Sequence, residues 1–212
     1  MNELEVTKKI RTTGILPVIC PANQEELNTL LSAVTDTDIS VIEITLRNDF
    51  STYAIKYIKE KFPWLVVGAG TINTPSKFKA AISCNADFFV APGFARFAHE
   101  YVSNCGITFF HGVSTPSEIL KLVNLGYSVM KFFPAEISGG VRALKLYSGA
   151  FDGVSFLPTG GITAENLHQY LACENVIGCG GSFMVPKSLL TKGAVEEIHA
   201  LIKKLCKKGN QQ

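Results

Sequence analysis

No apolar run in this chain approaches the roughly 20 residues that span a bilayer, and no long block of one charge sign occurs outside Lys203-Lys204 and Lys207-Lys208. Twenty basic and eighteen acidic residues nearly cancel to a formal charge of +2, which argues against nucleic acid as a partner. The six cysteines, Cys20, Cys84, Cys105, Cys173, Cys179 and Cys206, form no C-x-x-C pair, and no two histidines stand at metal-ligand spacing. Neither a disulfide framework nor a zinc site is therefore indicated, and no metal is expected. Walker A, H-E-x-x-H and G-x-S-x-G motifs are missing as well. The opening Met1-Asn-Glu-Leu-Glu-Val-Thr-Lys-Lys9 mixes charges and has no apolar signal core, so a cytoplasmic protein that does not bind membranes is expected.

What the chain does have is alternation. Short apolar runs bounded by Gly and Pro recur between longer segments of helical period, the pattern of β/α units in a parallel sheet. Strands are expected at 15–19, 41–45, 65–69, 88–91, 108–110, 129–133, 154–157 and 176–179. Helices are expected near 24–34, 51–61, 75–83, 95–104, 116–124, 140–148, 164–173 and 194–206, with a leading helix near 2–12. Thr115-Pro-Ser-Glu118 and Thr163-Ala-Glu-Asn166 read as helix starts. Eight strands with eight following helices suggest an α/β fold, a (β/α)₈ TIM barrel with an N-terminal helix, against a doubly wound open sheet. No linker divides residues 1–212, so one domain is expected, with a frayed tail from about Lys207.

Lys131 is the residue least at home in its surroundings. It lies in Gly126-Tyr-Ser-Val-Met-Lys-Phe-Phe-Pro-Ala135, flanked by apolar and aromatic neighbours. Desolvation there disfavours the ammonium, and a neutral amine near a carbonyl is how enzymes form Schiff bases. The same run also fits a lysine that snorkels to water, or half of a buried ion pair. In Val41-Ile-Glu-Ile-Thr-Leu-Arg47 the two-residue period puts Glu43, Thr45 and Arg47 on one face; an internal salt bridge is the structural alternative. If inward faces are chosen consistently, Lys131, Glu43 and Arg47 converge on one cavity. An amine nucleophile, a carboxylate for proton transfer and a guanidinium for a substrate carboxylate make a site for 2-keto acid chemistry.

Val67-Gly-Ala-Gly-Thr71 places a hydroxyl at the mouth of that cavity. Leu157-Pro-Thr-Gly-Gly-Ile-Thr163 and Gly178-Cys-Gly-Gly-Ser-Phe183 supply glycine-rich loops after the last two strands, the usual phosphate cradle of such barrels. Two tight turns without a ligand are the alternative. His99, His168 and His199 fall on expected helices, solvated or half-buried, while His111 follows the fifth strand and could border the mouth in a supporting role.

These segments closely resemble the class I 2-keto-3-deoxy-6-phosphogluconate (KDPG) / 4-hydroxy-2-oxoglutarate (KHG) aldolases. The resemblance runs from Gly14-Ile-Leu-Pro-Val18 to Val185-Pro186. It is carried by Glu43-Ile-Thr-Leu-Arg47 and Lys131-Phe-Phe-Pro-Ala-Glu136, with Gly68-Ala-Gly-Thr71, Pro92-Gly93 and Pro158-Thr-Gly-Gly-Ile162 in support. It implies a homotrimeric barrel of the Entner–Doudoroff pathway that cleaves KDPG to pyruvate and glyceraldehyde 3-phosphate, and in some members KHG to pyruvate and glyoxylate. No cofactor or metal is implied, because the intermediate is a covalent imine on Lys131. Glu43 is implied as the proton-transfer group, Arg47 and Thr71 as carboxylate binders, Pro92, Phe133 and Thr159 as pocket residues, and Gly160, Gly161, Gly181 and Ser182 as the phosphate cradle. Asp38, His111 and Phe94-Ala-Arg96 depart from the family's usual wording; the latter two lie near the mouth and bear on substrate preference, Arg96 adding charge near the aldehyde half. The related 6-phosphogalactonate aldolases, which share the barrel and the lysine, are an alternative, but they carry Ile-Phe-Pro-Ser and Val-Gly-Gly where this chain has Phe-Phe-Pro-Ala and Thr-Gly-Gly. A non-catalytic phosphate-binding barrel is another.

Overall fold

Asn2 accepts the Glu5 N–H and Gly14 closes the far end in the left-handed region, so the first segment forms α1, Glu3–Thr13. The structure is a computed structural model describing residues 1–209, with side chains as far as Cys206. After α1 come β1 (Ile15–Ile19), α2 (Gln24–Val34), β2 (Val41–Thr45), α3 (Phe50–Lys61), β3 (Val66–Gly70), α4 (Pro75–Ser83), β4 (Phe88–Val90) and α5 (Arg96–Cys105). Then follow β5 (Phe109–Phe110), β6 (Gly112–Val113), α6 (Pro116–Val123), β7 (Val129–Phe132), α7 (Gly140–Ala150), β8 (Ser155–Pro158), α8 (Leu167–Leu171), β9 (Cys179–Gly181), α9 (Lys187–Lys192) and α10 (Val195–Gly209).

Every strand pairing is parallel. One sheet has the order β5-β4-β3-β2-β1-β9 and the other β6-β7-β8. A single residue, His111, separates β5 from β6, and its carbonyl accepts the Lys131 N–H at 2.9 Å. At the other junction, parallel bridges Phe156–Val176 and Thr159–Gly180 bring β8 against the β9 segment. The α/β fold is thus a parallel sheet that curls, its strands buried on both faces, which is why they read as nearly continuous apolar runs.

Alternation along the strands produces two apolar layers. Ile42, Ile44, Met130, Phe132 and Phe156 face outward against the helices. Leu16, Val41, Val66, Phe88, Val90, Phe110, Val129, Leu157 and Ile177 face inward, and Val6 and Ile10 of α1 join them. The leading helix therefore plugs the inner space from the end where the strands begin. Thr115 and Glu118 form the reciprocal capping box expected at α6.

Several expected boundaries move. The fifth strand is interrupted at His111 and continues to Val113. The eighth strand is Cys179–Gly181, with Val176 contributing one bridge, because Gly178 at φ 148° turns the chain between them. The helix expected over 164–173 shortens to α8, since Thr163 and Asn166 tie the preceding loop by reciprocal hydrogen bonds. A helix missing from the sequence reading, α9, follows Pro186. Of the expected frayed tail, residues 207–209 continue α10, and residues 210–212 lie outside the described residues. Among the described residues no helix is long and apolar enough to cross a membrane.

Candidate active site

Because Val41 and Val129 face inward, the two-residue period carries Glu43 and Lys131 to the same side further along β2 and β7. Lys131 Nζ lies 3.9 Å from Glu43 Oε1, with the two side chains 8% and 1% exposed. The snorkelling alternative is thereby excluded. The pair is too far apart for a hydrogen bond, and among the described residues neither carboxylate oxygen of Glu43 has a hydrogen-bond partner. Gly70 makes room for it: a Cβ there would collide with Glu43 Oε1. Gly112 is paired with Lys131 across the strands and lets the Pro92 carbonyl approach in the same way. Lys131 Nζ also lies 5.3 Å from the Phe133 ring centroid.

A cavity of about 780 Å³ opens at the C-terminal ends of the strands. Arg47, Phe133, Thr159, Gly160, Gly161, Gly181 and Ser182, all singled out from the sequence, contribute to its wall. Lys131 and Glu43 are not among its lining residues; each has a neighbour that is, Phe133 for Lys131 and Val18, the strand partner of Glu43. Arg47 Nε donates to Thr71 Oγ1 at 3.4 Å, and Thr71 itself sits at φ 61°, an unusual backbone for threonine. Thr71 and Pro92 do not line the cavity; Pro92 is exposed, its carbonyl turned toward Gly112.

The glycine loop after β8 is shaped by positive φ at Gly160 (97°) and Gly161 (81°). Its backbone is fastened from the segment after β7: Ala135 N–H donates to Thr159 O at 2.8 Å and Glu136 N–H to Gly160 O at 3.1 Å. Tyr170 from α8 donates its hydroxyl to the Glu136 carboxylate beneath that loop, and burial with this bond pushes the phenol pKa up. Gly180 leaves space for the Thr159 hydroxyl.

His111 does not border the mouth. Its ring turns outward, stacks on Phe109 at 4.2 Å between centroids and meets Tyr127 edge-on. The Ala95 N–H donates to its Nδ1 at 3.3 Å, so the ring anchors the loop that follows β4. Burial, and next the neighbouring His99, push its pKa down to about 3, which keeps the imidazole neutral. Sequence reasoning also missed Glu26 and Lys187. Lys187 lines the cavity and holds both oxygens of the buried Glu26 at 2.6 and 2.5 Å. Its signal in the sequence was a lone lysine directly after Pro186. Among the described residues no group of three His, Cys, Asp or Glu could hold a metal ion.

This chain is 37% identical to the 2-dehydro-3-deoxy-phosphogluconate aldolase of Pseudomonas aeruginosa, an alignment covering 90% of this chain and 87% of that protein. It is 35% identical to the KHG/KDPG aldolase of Escherichia coli K12, with 92% of each covered. Its fold superposes on the crystal structure of KDPG aldolase from Legionella pneumophila with a TM-score of 0.89 at 33% identity, covering 94% of this chain and 97% of that one. That crystal structure holds pyruvate captured as a covalent carbinolamine intermediate. A family model for KDPG and KHG aldolase matches residues 6–201, a span that includes both buried charges and both glycine loops, and the chain accordingly belongs to the KDPG and KHG aldolase family.

Proposed function

We propose that this protein is a class I aldolase that cleaves 2-keto-3-deoxy-6-phosphogluconate to pyruvate and glyceraldehyde 3-phosphate through a Schiff base on Lys131. The observation that carries the reading is the buried Lys131 amine 3.9 Å from a Glu43 carboxylate that has no hydrogen-bond partner among the described residues. The amine adds to the C2 ketone, and the carbinolamine hydroxyl takes a proton from solvent and leaves as water, which gives a protonated imine. Glu43 takes the proton of the C4 hydroxyl, the C3–C4 bond breaks, and its electrons move into the imine to give an enamine. The aldehyde product leaves, the proton held by Glu43 returns to C3 by way of water, and hydrolysis releases pyruvate and the free amine.

Arg47 and the Thr71 hydroxyl bonded to it bind the substrate carboxylate. Phe133 and Thr159 border the carbon chain. Gly160, Gly161, Gly181 and Ser182 cradle the phosphate with backbone N–H groups and a hydroxyl. The two sheets together form one closed (β/α)₈ barrel in a single domain: His111 joins β5 to β6 and two bridges join β8 to β9. KHG is a second substrate in this reading, in keeping with the name of the Escherichia coli relative. Assembly as a trimer is part of the same proposal, supported by Ile137 and Leu146, apolar side chains left 86% and 74% exposed; sedimentation of the purified protein tests it.

Borohydride reduction in the presence of pyruvate is expected to leave a covalent adduct on Lys131, read by peptide mass. Folded protein that gives no adduct rejects the Schiff-base mechanism. Ligand-dependent stabilisation without pyruvate release in a coupled assay would instead establish the non-catalytic barrel.

A further inference from the structure

A phosphorylated 2-keto acid brings two anionic ends into the cavity. Among the described residues that line it, only Arg47 and Lys187 carry positive charge. Arg47 is fastened to Thr71 at the ends of β2 and β3. Lys187 follows β9, which β1 separates from β2 in the sheet; the Val185 N–H donates to Ser182 O at 3.1 Å and turns the chain there, and both Lys187 and Ser182 line the cavity. The Ser182 and glycine cradle has no cation of its own, and backbone N–H groups alone leave most of a phosphate's charge of about −1.5 to −2 unbalanced.

Resting on the aldolase reading of this cavity, we propose that Lys187 is a specificity residue that supplies the counter-charge for the substrate phosphate, with Glu26 as the tether that holds its ammonium at the rim. An ammonium has three N–H groups. Two go to the Glu26 oxygens at 2.6 and 2.5 Å, which leaves one for a ligand oxygen. The Glu26 side chain is 8% exposed and that of Lys187 58%. Glu26 is also held independently of the lysine, by the Ala22 N–H at 2.7 Å and the Thr191 hydroxyl at 3.1 Å. The carboxylate thus stays fixed and partnered when the ammonium leans toward a phosphate. An exposed ion pair contributes little to stability by itself, and its position on the cavity wall is what gives it a role in binding.

The test compares KM for KDPG with KM for the unphosphorylated KHG in wild type, Lys187→Ala and Lys187→Arg. Lys187→Ala is expected to raise the ratio of the two KM values about tenfold, moving KM for KDPG more than kcat, and Lys187→Arg to restore most of it. Competitive inhibition by inorganic phosphate should weaken in parallel. Pyruvate carries no phosphate, so borohydride trapping reads the chemistry separately. If wild type traps pyruvate but the KM ratio ignores Lys187, this inference falls while the aldolase reading stands. If wild type traps no pyruvate, both fall.

Discussion

Where the strands begin, Leu16, Val41, Val66, Phe88, Phe110, Val129, Leu157 and Ile177 fill the inner space, and Val6 and Ile10 close it from α1. Further along the same strands, the inward positions of β2 and β7 carry Glu43 and Lys131, and glycines such as Gly70 and Gly112 keep volume open around them. One end buries apolar area and carries stability. The other places two ionisable side chains where water is scarce, an arrangement that weakens a fold unless the rest of the core supports it. On the aldolase reading, one set of strands separates folding from chemistry along its length: substitutions near the plug should move stability, and those near the mouth should move rate.

The largest expected effect is at Lys131. Lys131→Met should lower turnover at least about a thousandfold and remove the borohydride adduct. Glu43→Gln should lower kcat about a hundredfold or more while still forming the adduct, so a Glu43→Gln enzyme of normal rate would take that residue out of the mechanism. Gly70→Ala sharpens the comparison, because its Cβ must displace the Glu43 carboxylate. A shift of about 1 Å should cost roughly a hundredfold in kcat, measured against a small change in melting temperature.

At the opposite end, Phe88→Ala should destabilise the fold by about 3–5 kcal/mol in denaturant titrations, with near-normal activity per folded molecule. A stable Phe88→Ala protein with a collapsed kcat would break the separation. The effect that is smallest at neutral pH, and grows only as the solution is acidified, belongs to His111, whose pKa is pushed down to about 3 from its ordinary 6.5 by burial and by His99. Below 6.5 the unfolded chain takes up a proton that the folded one refuses. Stability is therefore full above that pH and falls as the pH drops toward 3, by up to about 1.4 kcal/mol per unit. His111→Gln, which retains an acceptor for the Ala95 N–H, should flatten that slope in melting curves taken across the range.

Much of the site was legible before any coordinates. Lys131 stood out as a charge inside an apolar run, Glu43 and Arg47 through two-residue alternation, and the glycine loops through their position after the last strands. His111, read as a supporting residue that could border the mouth, does support a loop, but from the outer face, because alternation from inward Phe110 turns its side chain outward. Lys187 and α9 escaped because a six-residue helix has too short a period to show, and Glu26 looks like any exposed acid on the first turn of α2 until its partners arrive from a distant segment.

Local sequence by itself determined the order of strands and helices apart from α9 and the break at His111, the inward faces of β2 and β7, and the chemical kinds of group the mouth would contain. These follow from backbone period and burial, which act over a few residues. Only the tertiary structure decided that Lys131 and Glu43, 88 positions apart, stand 3.9 Å from each other, that Gly70 makes the room, and that Glu26 reaches across to Lys187. Those distances depend on sheet curvature and strand register, which no short segment of the chain encodes.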